Sequence, residues 1–523
     1  MLRNWKSRSS LGLVAICATL IGSLPAARAE TVLRVSLNSD IRSTQPGVNR
    51  DENTDEVMMH VFEGLVAFRE DTSVGPLLAD SIDVSPDGLV YTFHLRDGVK
   101  FHNGAPLTAA DVVWSWKRYL DPATQWRCLP DVDGHSATKI VSVDAADPKT
   151  VVFKLERASA LFLVTMARPD CGESAILHHD SVGPDGKWKS PISTGPFKMG
   201  EWKPGQYVEV DRFDDYVSRA GERDGNTGGK KALVDKVRFT VIPDPSATKA
   251  AFLSGALDIY SQIAAADRAE LEHQPGVKVD RSSAMDFYAI LFQTKDPLLE
   301  DARIRRALAL SLDYGALVDA ATHGYSRPNN SAVPVSSPYY DATQKEGFQY
   351  DPAEAKRLLA AAGYAGQPIK LVANKRYTEM FDQAVLVQAM AAVVGLNLEL
   401  DVTDWASEID RYSRGDYQTM SFGYSARLDP SLSYDVFTGP KATQPRKVWD
   451  DPKIQAKLEA SMRTLDRDAR QKIFDELHSA LLTDVPLIPL FNSVVVAAAQ
   501  KNVVGYKGWA TVQPRFWNVG FAN

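Results

Sequence analysis

Catalytic signatures are what this 523-residue chain lacks most plainly. It has no H-E-x-x-H pair to hold a catalytic zinc, no G-x-S-x-G nucleophile turn and no C-x-x-C pair. Nine histidines are scattered; His178 and His179 are adjacent, a spacing that points them in different directions and suits metal poorly. His102 reads as a turn histidine in a Phe-His-Asn-Gly turn. Cysteine is scarce, with Cys17, Cys128 and Cys171 only. Gly228-Gly229-Lys230 superficially suggests a phosphate loop, but Asp224 stands where the leading glycine is needed and Lys231 where Ser or Thr would meet magnesium. Positive charge is in deficit: 59 Lys and Arg stand against 66 Asp and Glu, a formal charge of −7. That argues against nucleic acid or an anionic membrane surface as a main partner. Beyond the N-terminus no apolar run reaches the ~20 residues of a spanning helix, and no short repeat or low-complexity linker is visible.

What is present begins with an export signal. Arg3, Lys6 and Arg8 form a basic region, an apolar stretch runs over 11–24, and Ala27-Arg28-Ala29 is an A-x-A site, so cleavage is expected near Ala29. Cys17 lies inside the apolar run behind Ile16, a poor lipidation context. Removing the four basic residues Arg3, Lys6, Arg8 and Arg28 takes the formal charge from −7 to about −11. The mature chain of about 494 residues is too long for one core. Export leaves Cys128 and Cys171 in an oxidising compartment, as candidates for a disulfide or as two buried thiols.

The patterning is α/β. Leu89, Tyr91, Phe93 and Leu95 alternate with polar or smaller residues between two turn signals, Pro86-Asp87-Gly88 and Arg96-Asp97-Gly98. Thr108 with Asp111 forms a capping box ahead of a helix through Val112, Trp116 and Tyr119. Asp351-Pro352 with Glu354 opens a helix that Gly363 closes. Pro245 opens another, ending near Gly255. Ile304, Ala307, Leu308, Ser311 and Leu312 share one face of the 301–318 segment. Residues 380–394 read as a helix, 396–400 as a strand and 466–483 as a late amphipathic helix. Residues 218–231 are loop-like.

Several blocks carry more than local structure. Residues 79–121, Ser193-Thr194-Gly195-Pro196-Phe197, Glu201-Trp202-Lys203-Pro204-Gly205-Gln206, and segments 237–260, 301–318 and 350–364 closely resemble the signature segments of the family 5 extracytoplasmic solute-binding proteins, in family order. That family comprises peptide, opine and nickel receptors of ABC importers. The resemblance implies a two-lobe periplasmic binding protein of type II, in the large three-domain cluster, with a hinge and an enclosed ligand cleft. It implies residues 1–29 as signal peptide; 30–67, 190–284 and 489–523 as lobe I; 68–189 as an extra domain inserted in lobe I; and 285–488 as lobe II. Hinge crossings are expected near Phe287-Tyr288 and Pro486-Leu487-Ile488-Pro489.

The resemblance also nominates binding residues. In dipeptide-binding relatives an Arg close to a Tyr holds the ligand carboxylate, a role that falls on Arg376 and Tyr377, with Lys375 as the neighbouring substitute. An arginine suits that task because its planar fork bonds both carboxylate oxygens. Residues 423–430 resemble the family's ligand loop but place Arg427 where an amine-binding Asp is usual. Asp429 or another acid would then meet an amine, or the ligand is more anionic than a simple peptide; Arg427 bonding a neighbouring acid and shaping the loop is the alternative. Tyr424 replaces the aromatic residue of that loop, and Trp405 matches a position near the cleft. The expected function is a periplasmic receptor, monomeric, taking a small molecule or peptide to an inner-membrane ABC permease complex. It would use no catalytic residue, metal or cofactor and bind no nucleic acid. An opine or metal-chelate receptor, a secreted peptide hydrolase and a periplasmic peptide-binding chaperone are the competing readings.

Overall fold

A computed structural model describes residues 30–48, 51–263 and 267–522; the expected leader lies outside the described residues. Two large sheets organise the chain. The first has seven strands in the order Val277–Ser283, Val494–Gln500, Ile259–Tyr260, Val32–Leu37, Lys236–Val241, Tyr207–Arg212 and Phe197–Lys203. In its central strand Leu33, Val35 and Leu37 are buried at a period of two and meet Phe197, Val208, Val237 and Phe239 in one core. The second has five strands in the order Leu398–Thr403, Ile369–Asn374, Thr419–Tyr424, Phe287–Phe292 and Leu487–Phe491. Separate apolar cores cover its two sides, one built with helices Ala302–Leu310, Pro352–Ala361 and Thr378–Val393, the other with Pro452–Arg463 and Arg467–Asp484. A sheet buried on both faces explains the near-continuous apolar strands Phe287–Phe292 and Leu487–Phe491.

A third, four-stranded sheet runs Ala79–Val84, Val90–Leu95, Thr150–Leu155, Ile140–Asp147. Tyr91, Phe93 and Leu95 point into its core with Trp116, Phe153 and Phe162. The capping box forms: Thr108 donates to Asp111 from both its backbone nitrogen and its hydroxyl (2.9 and 2.6 Å). Cys128 and Cys171 are joined in a disulfide beside Trp126, whose indole donates to the Cys171 carbonyl.

Local expectations shift where a distant partner decides. The 301–318 segment is two helices, Ala302–Leu310 and Tyr314–Thr322, because Asp313 accepts from the Ala316 nitrogen and starts a new one. The strand after Gly395 spans Leu398–Thr403, fixed by parallel pairing of Ile369 with Leu398.

Two short crossings join the large sheets. Residues 284–286 lead from Val277–Ser283 into Phe287–Phe292, and residues 492–493 lead back from Leu487–Phe491 into Val494–Gln500. The second crossing sits past the expected Pro486-Leu487-Ile488-Pro489, because Leu487–Phe491 pairs with Phe287–Phe292 as the edge of the five-stranded sheet. The C-terminal segment returns to the core of the first sheet, where Phe516 and Val519 pack with Leu33 and Val35 and the Phe516 nitrogen donates to His60 (3.0 Å). Farther out, Trp509 donates its indole N–H to the Glu70 carbonyl and Arg515 bonds the Glu70 carboxylate. Among the described residues no helix is long and apolar enough to cross a membrane.

The Cys128–Cys171 bridge closes a 43-residue separation. Its removal from the unfolded chain's constraints is expected to cost roughly 2–4 kcal/mol. Urea unfolding of the Cys128→Ala/Cys171→Ala double variant checks this; an unchanged midpoint would contradict it.

Candidate functional site

Strand direction places the site. Val277–Ser283 pairs antiparallel with Val494–Gln500, which pairs antiparallel with Ile259–Tyr260; that strand and Lys236–Val241 are parallel to Val32–Leu37. So Val32–Leu37 ends on the same side as Val277–Ser283, which runs straight into the hinge. In lobe II, Phe287–Phe292 starts at the hinge, and Thr419–Tyr424 runs against it, with Ile369–Asn374 and Leu398–Thr403 parallel to Thr419–Tyr424. The carboxyl ends of Val32–Leu37, Lys236–Val241, Ile259–Tyr260 and Val277–Ser283 and those of Thr419–Tyr424, Ile369–Asn374 and Leu398–Thr403 therefore face one crevice at the hinge, where α/β sheets bind ligands, while Phe287–Phe292 and Val494–Gln500 run away from it.

Three of those ends carry the nominated residues. Lys375, Arg376 and Tyr377 follow Ile369–Asn374, Trp405 opens the helix after Leu398–Thr403, and Arg427 follows Thr419–Tyr424. Asn374 sets the first loop: its Oδ1 accepts from the Arg376 and Tyr377 nitrogens (3.0 and 3.1 Å), and its Nδ2 donates to Glu408 (3.0 Å). Burial raises the Glu408 carboxyl to about 7, against the opposing pull of the Asn374 bond. Arg376 is exposed, lies over the Tyr377 ring (5.6 Å), and makes no hydrogen bond through its guanidinium among the described residues. Tyr377 meets Trp405 edge to face (4.9 Å), and Trp405 stacks on Phe422 (6.0 Å). Lys375 lies over Phe381 (5.2 Å). This corner is thus a cationic rim on an aromatic wall.

The Arg427 loop is built differently from the sequence reading. The Arg427 Nη1 donates to the Ser425 carbonyl (3.1 Å) and hydroxyl (2.8 Å) and to the Ala426 carbonyl (2.9 Å), so part of the guanidinium folds back onto its own loop. Its backbone nitrogen donates to Met285 in the hinge (3.2 Å). Asp429 is 3% exposed. Both its oxygens accept from Arg470 Nη2 (2.8 and 2.9 Å), and Oδ1 also takes the Ser431 N–H at the start of helix Pro430–Asp435. A carboxylate so engaged is a structural ion pair, not an amine receptor. Tyr424 is buried against Phe287, Tyr412, Phe422 and Phe437, behind the crevice surface.

The hinge holds a residue that sequence reasoning missed. Asp286 accepts from the Ser493 nitrogen (2.8 Å) and hydroxyl (2.5 Å), and the Asn492 amide donates to the Asp286 carbonyl (2.5 Å). One carboxylate thereby ties the two crossings together. Burial, with the Glu379 charge nearby, lifts its carboxyl to about 6 although the Ser493 bonds oppose the rise. The lobes also touch away from the hinge. The Ala160 nitrogen donates to the Met462 carbonyl (2.8 Å), and Ala426, Leu428 and Leu432 pack on the core that contains Met285 and Trp509.

Two other clusters resolve simply. His178, His179 and Asp180 do converge, with imidazole centroids 4.1 Å apart, where adjacency suggested divergence. The His178 Nδ1 already takes the Asp180 N–H and faces the Asn103 amide. His102 is half-buried between Gly195 and Ser193, and desolvation there lowers it to about 4.

Comparison with known proteins gives a consistent answer. The family model of bacterial extracellular solute-binding proteins, family 5 (middle), matches residues 73–444. Heme-binding protein A of Haemophilus influenzae is 27% identical over 475 residues, covering 85% of this chain and 84% of that protein. Di/tripeptide-binding protein 1 of Pseudomonas aeruginosa is 26% identical over 532 residues, covering 97% of each. Among solved structures, the PBP AgaA from A. tumefaciens R10, in complex with agropinic acid, aligns with a TM-score of 0.71 at 28% identity, covering 94% of this chain and 99% of that one. HbpA2 from Haemophilus parasuis aligns with a TM-score of 0.82 at 23% identity, covering 94% and 100%.

The hinge carboxylate sets a pH dependence. Folded Asp286 holds its proton more tightly than an unfolded Asp, so the contribution is complete below about pH 4 and lost as pH rises through about 6. Between those limits the wild type should lose up to about 3 kcal/mol relative to Asp286→Asn. Urea titrations of both proteins across that range measure it; parallel stability curves would contradict it.

Proposed function

The chain belongs to the bacterial extracellular solute-binding proteins of family 5, and from that premise we propose that its solute is a small peptide or peptide-like acid carrying a carboxylate beyond a simple zwitterion. The receptor role comes with the family: such a protein binds a solute outside the cytoplasm and delivers it to an ABC importer. The anionic solute is our reading. The observation that carries it is the exposed Arg376 on the Tyr377–Trp405 aromatic wall, at the carboxyl end of Ile369–Asn374 and with Lys375 beside it. A guanidinium with open donors there can take a carboxylate in a bidentate grip while the rings cover the solute's apolar part.

Arg427 is the second cationic group of the same rim. We assign it to ligand contact at the crevice, with loop shaping through Ser425 and Ala426 as its resting role. No acid of that loop is open to a ligand amine, since Asp429 is held by Arg470. That supports a solute richer in carboxylate than an ordinary peptide. Di/tripeptides, named for the Pseudomonas relative, and agropinic acid, held by the A. tumefaciens neighbour, are two chemistries in this range. Solute bound between the lobes stabilises their closed arrangement, because only that arrangement contacts it from both sides. We place residues 30–67 and 190–284 with the C-terminal segment in lobe I, 68–189 in its inserted domain and 285–491 in lobe II. Export with cleavage near Ala29, a monomeric state and delivery without turnover complete the proposal.

Calorimetric titration with acidic dipeptides and tripeptides and with opines tests it. Arg376→Ala is expected to weaken the preferred solute by roughly 2–5 kcal/mol while the protein stays folded. Arg427→Asp is expected to shift preference toward peptides with a free amino terminus. Undiminished affinity in both variants would remove the anion reading; conversion of solute to product would replace the receptor reading with an enzyme.

A further inference from the structure

The end of helix Pro452–Arg463, in lobe II, touches the unit built on the four-stranded sheet, and nothing described so far gives that contact a task. The last carbonyls of a helix have no partner within it. That of Met462 finds one outside, accepting the Ala160 N–H at 2.8 Å. Leu465, in the turn to helix Arg467–Asp484, reaches the Gly88 turn of the same unit. A methyl group added at Gly88 would lie 2.5 Å from Leu465 Cδ1 and 3.1 Å from the Ala158 Cβ, so the absence of a side chain there makes the notch. Both loops of the notch are held from within. The Ser85 hydroxyl donates to Asp87 (2.5 Å) and accepts the Val90 N–H (2.9 Å), and the Gly88 nitrogen donates to the Ser85 carbonyl (2.8 Å). The Ser159 hydroxyl bonds that of Thr138 (2.5 Å), and the Tyr91 hydroxyl donates to the Ser159 carbonyl (3.4 Å). The receiving surface therefore needs no help from lobe II to form.

On the lobe II side the contact is tied to the ligand rim. Arg470 donates through Nε to the Ser461 carbonyl (2.8 Å), next to Met462, and through Nη2 to both oxygens of Asp429. The Ser461 and Ser431 hydroxyls bond each other (2.8 Å). Asp429 and Ser431 directly follow Arg427. Ala426, Leu428 and Leu432 from this loop pack on the core that the four-stranded unit shares with Met285 and Trp509. The helix end and the Arg427 loop thus meet one unit and are fastened to each other.

We propose that the four-stranded unit is a clasp that favours the closed lobes without help from the solute and seats the Arg427 loop as it closes. Beyond the loop itself the contact is one backbone hydrogen bond and one leucine, and Leu465 stays 43% exposed. An interface that small opens when the hinge bends; a permanent joint is larger and drier. Made part of the time in the empty protein, the clasp shifts the population toward the closed arrangement, and solute completes the shift. The inference takes the two-lobe arrangement of the proposed function as given, but no property of the solute.

The test uses the full chain, unfolded and refolded to remove retained solute. Its readouts are hydrogen exchange at the Ala160 amide, by fragmentation mass spectrometry, and the radius of gyration, by solution X-ray scattering. The wild-type Ala160 amide is expected to exchange about five-fold more slowly than that of Leu465→Asp, and the variant to have the larger radius. Unchanged protection across the buried strand Phe287–Phe292 shows that the variant is folded. Ala158→Glu, which wedges the notch from the other side, is expected to act alike and decides if Leu465→Asp does not fold. A folded variant that keeps the wild-type protection at Ala160, or the wild-type radius, would overturn the clasp. So would an Ala160 amide with no protection in the stripped wild type, since solute alone would then make the contact. No peptide or opine enters this test, so failure of the anionic-solute reading would not be mistaken for failure here.

Discussion

The two lobes depend on one carboxylate. Asp286 receives both the backbone and the hydroxyl of Ser493, so the strand entering lobe II and the strand leaving it are fastened at a single point. The fastening is local and leaves the rest of the crevice free to change width. Asn492 extends it by donating to the Asp286 carbonyl while accepting from Asn329 and the Val335 nitrogen in lobe II. A hinge made of two short crossings bends easily only if the crossings move together. A half-buried carboxylate with raised proton affinity does this, and its desolvation is the reason the pair of strands needs the Ser493 donors.

From that hinge the crevice inherits an electrical asymmetry. Lobe II brings Lys375, Arg376 and Arg427 to the ends of its strands. Cations gathered on one wall orient an anionic solute before the lobes close on it, and orientation limits the number of solutes that fit. The buried ion pair of Asp429 with Arg470 belongs to neither wall; it holds the Arg427 loop to helix Arg467–Asp484 and keeps the rim rigid.

What was legible in the sequence was what is decided locally. The capping box of Thr108 and Asp111, the helix opened by Asp351-Pro352 and the alternation of Tyr91, Phe93 and Leu95 are each fixed within a few residues, and each forms. The family motifs extended that reach to the fold and the receptor role, and they led to the strand ends where Arg376, Trp405 and Arg427 stand. What was not legible depends on partners far along the chain. Asp429 could not be seen as a structural ion because Arg470 is 41 residues away. Asp286 gave no signal because its partner is 207 residues away. The second hinge crossing lay beyond its expected place because strand pairing, not composition, ends Leu487–Phe491.

The central claim is that two lobes hinged at Asp286 close on a small solute. Solution X-ray scattering on the chain as purified, and again after unfolding and refolding to strip any retained solute, tests it most directly. The stripped protein should have the larger radius of gyration, and adding back the released small-molecule fraction should restore the smaller one. Identical scattering in all three states would contradict the account.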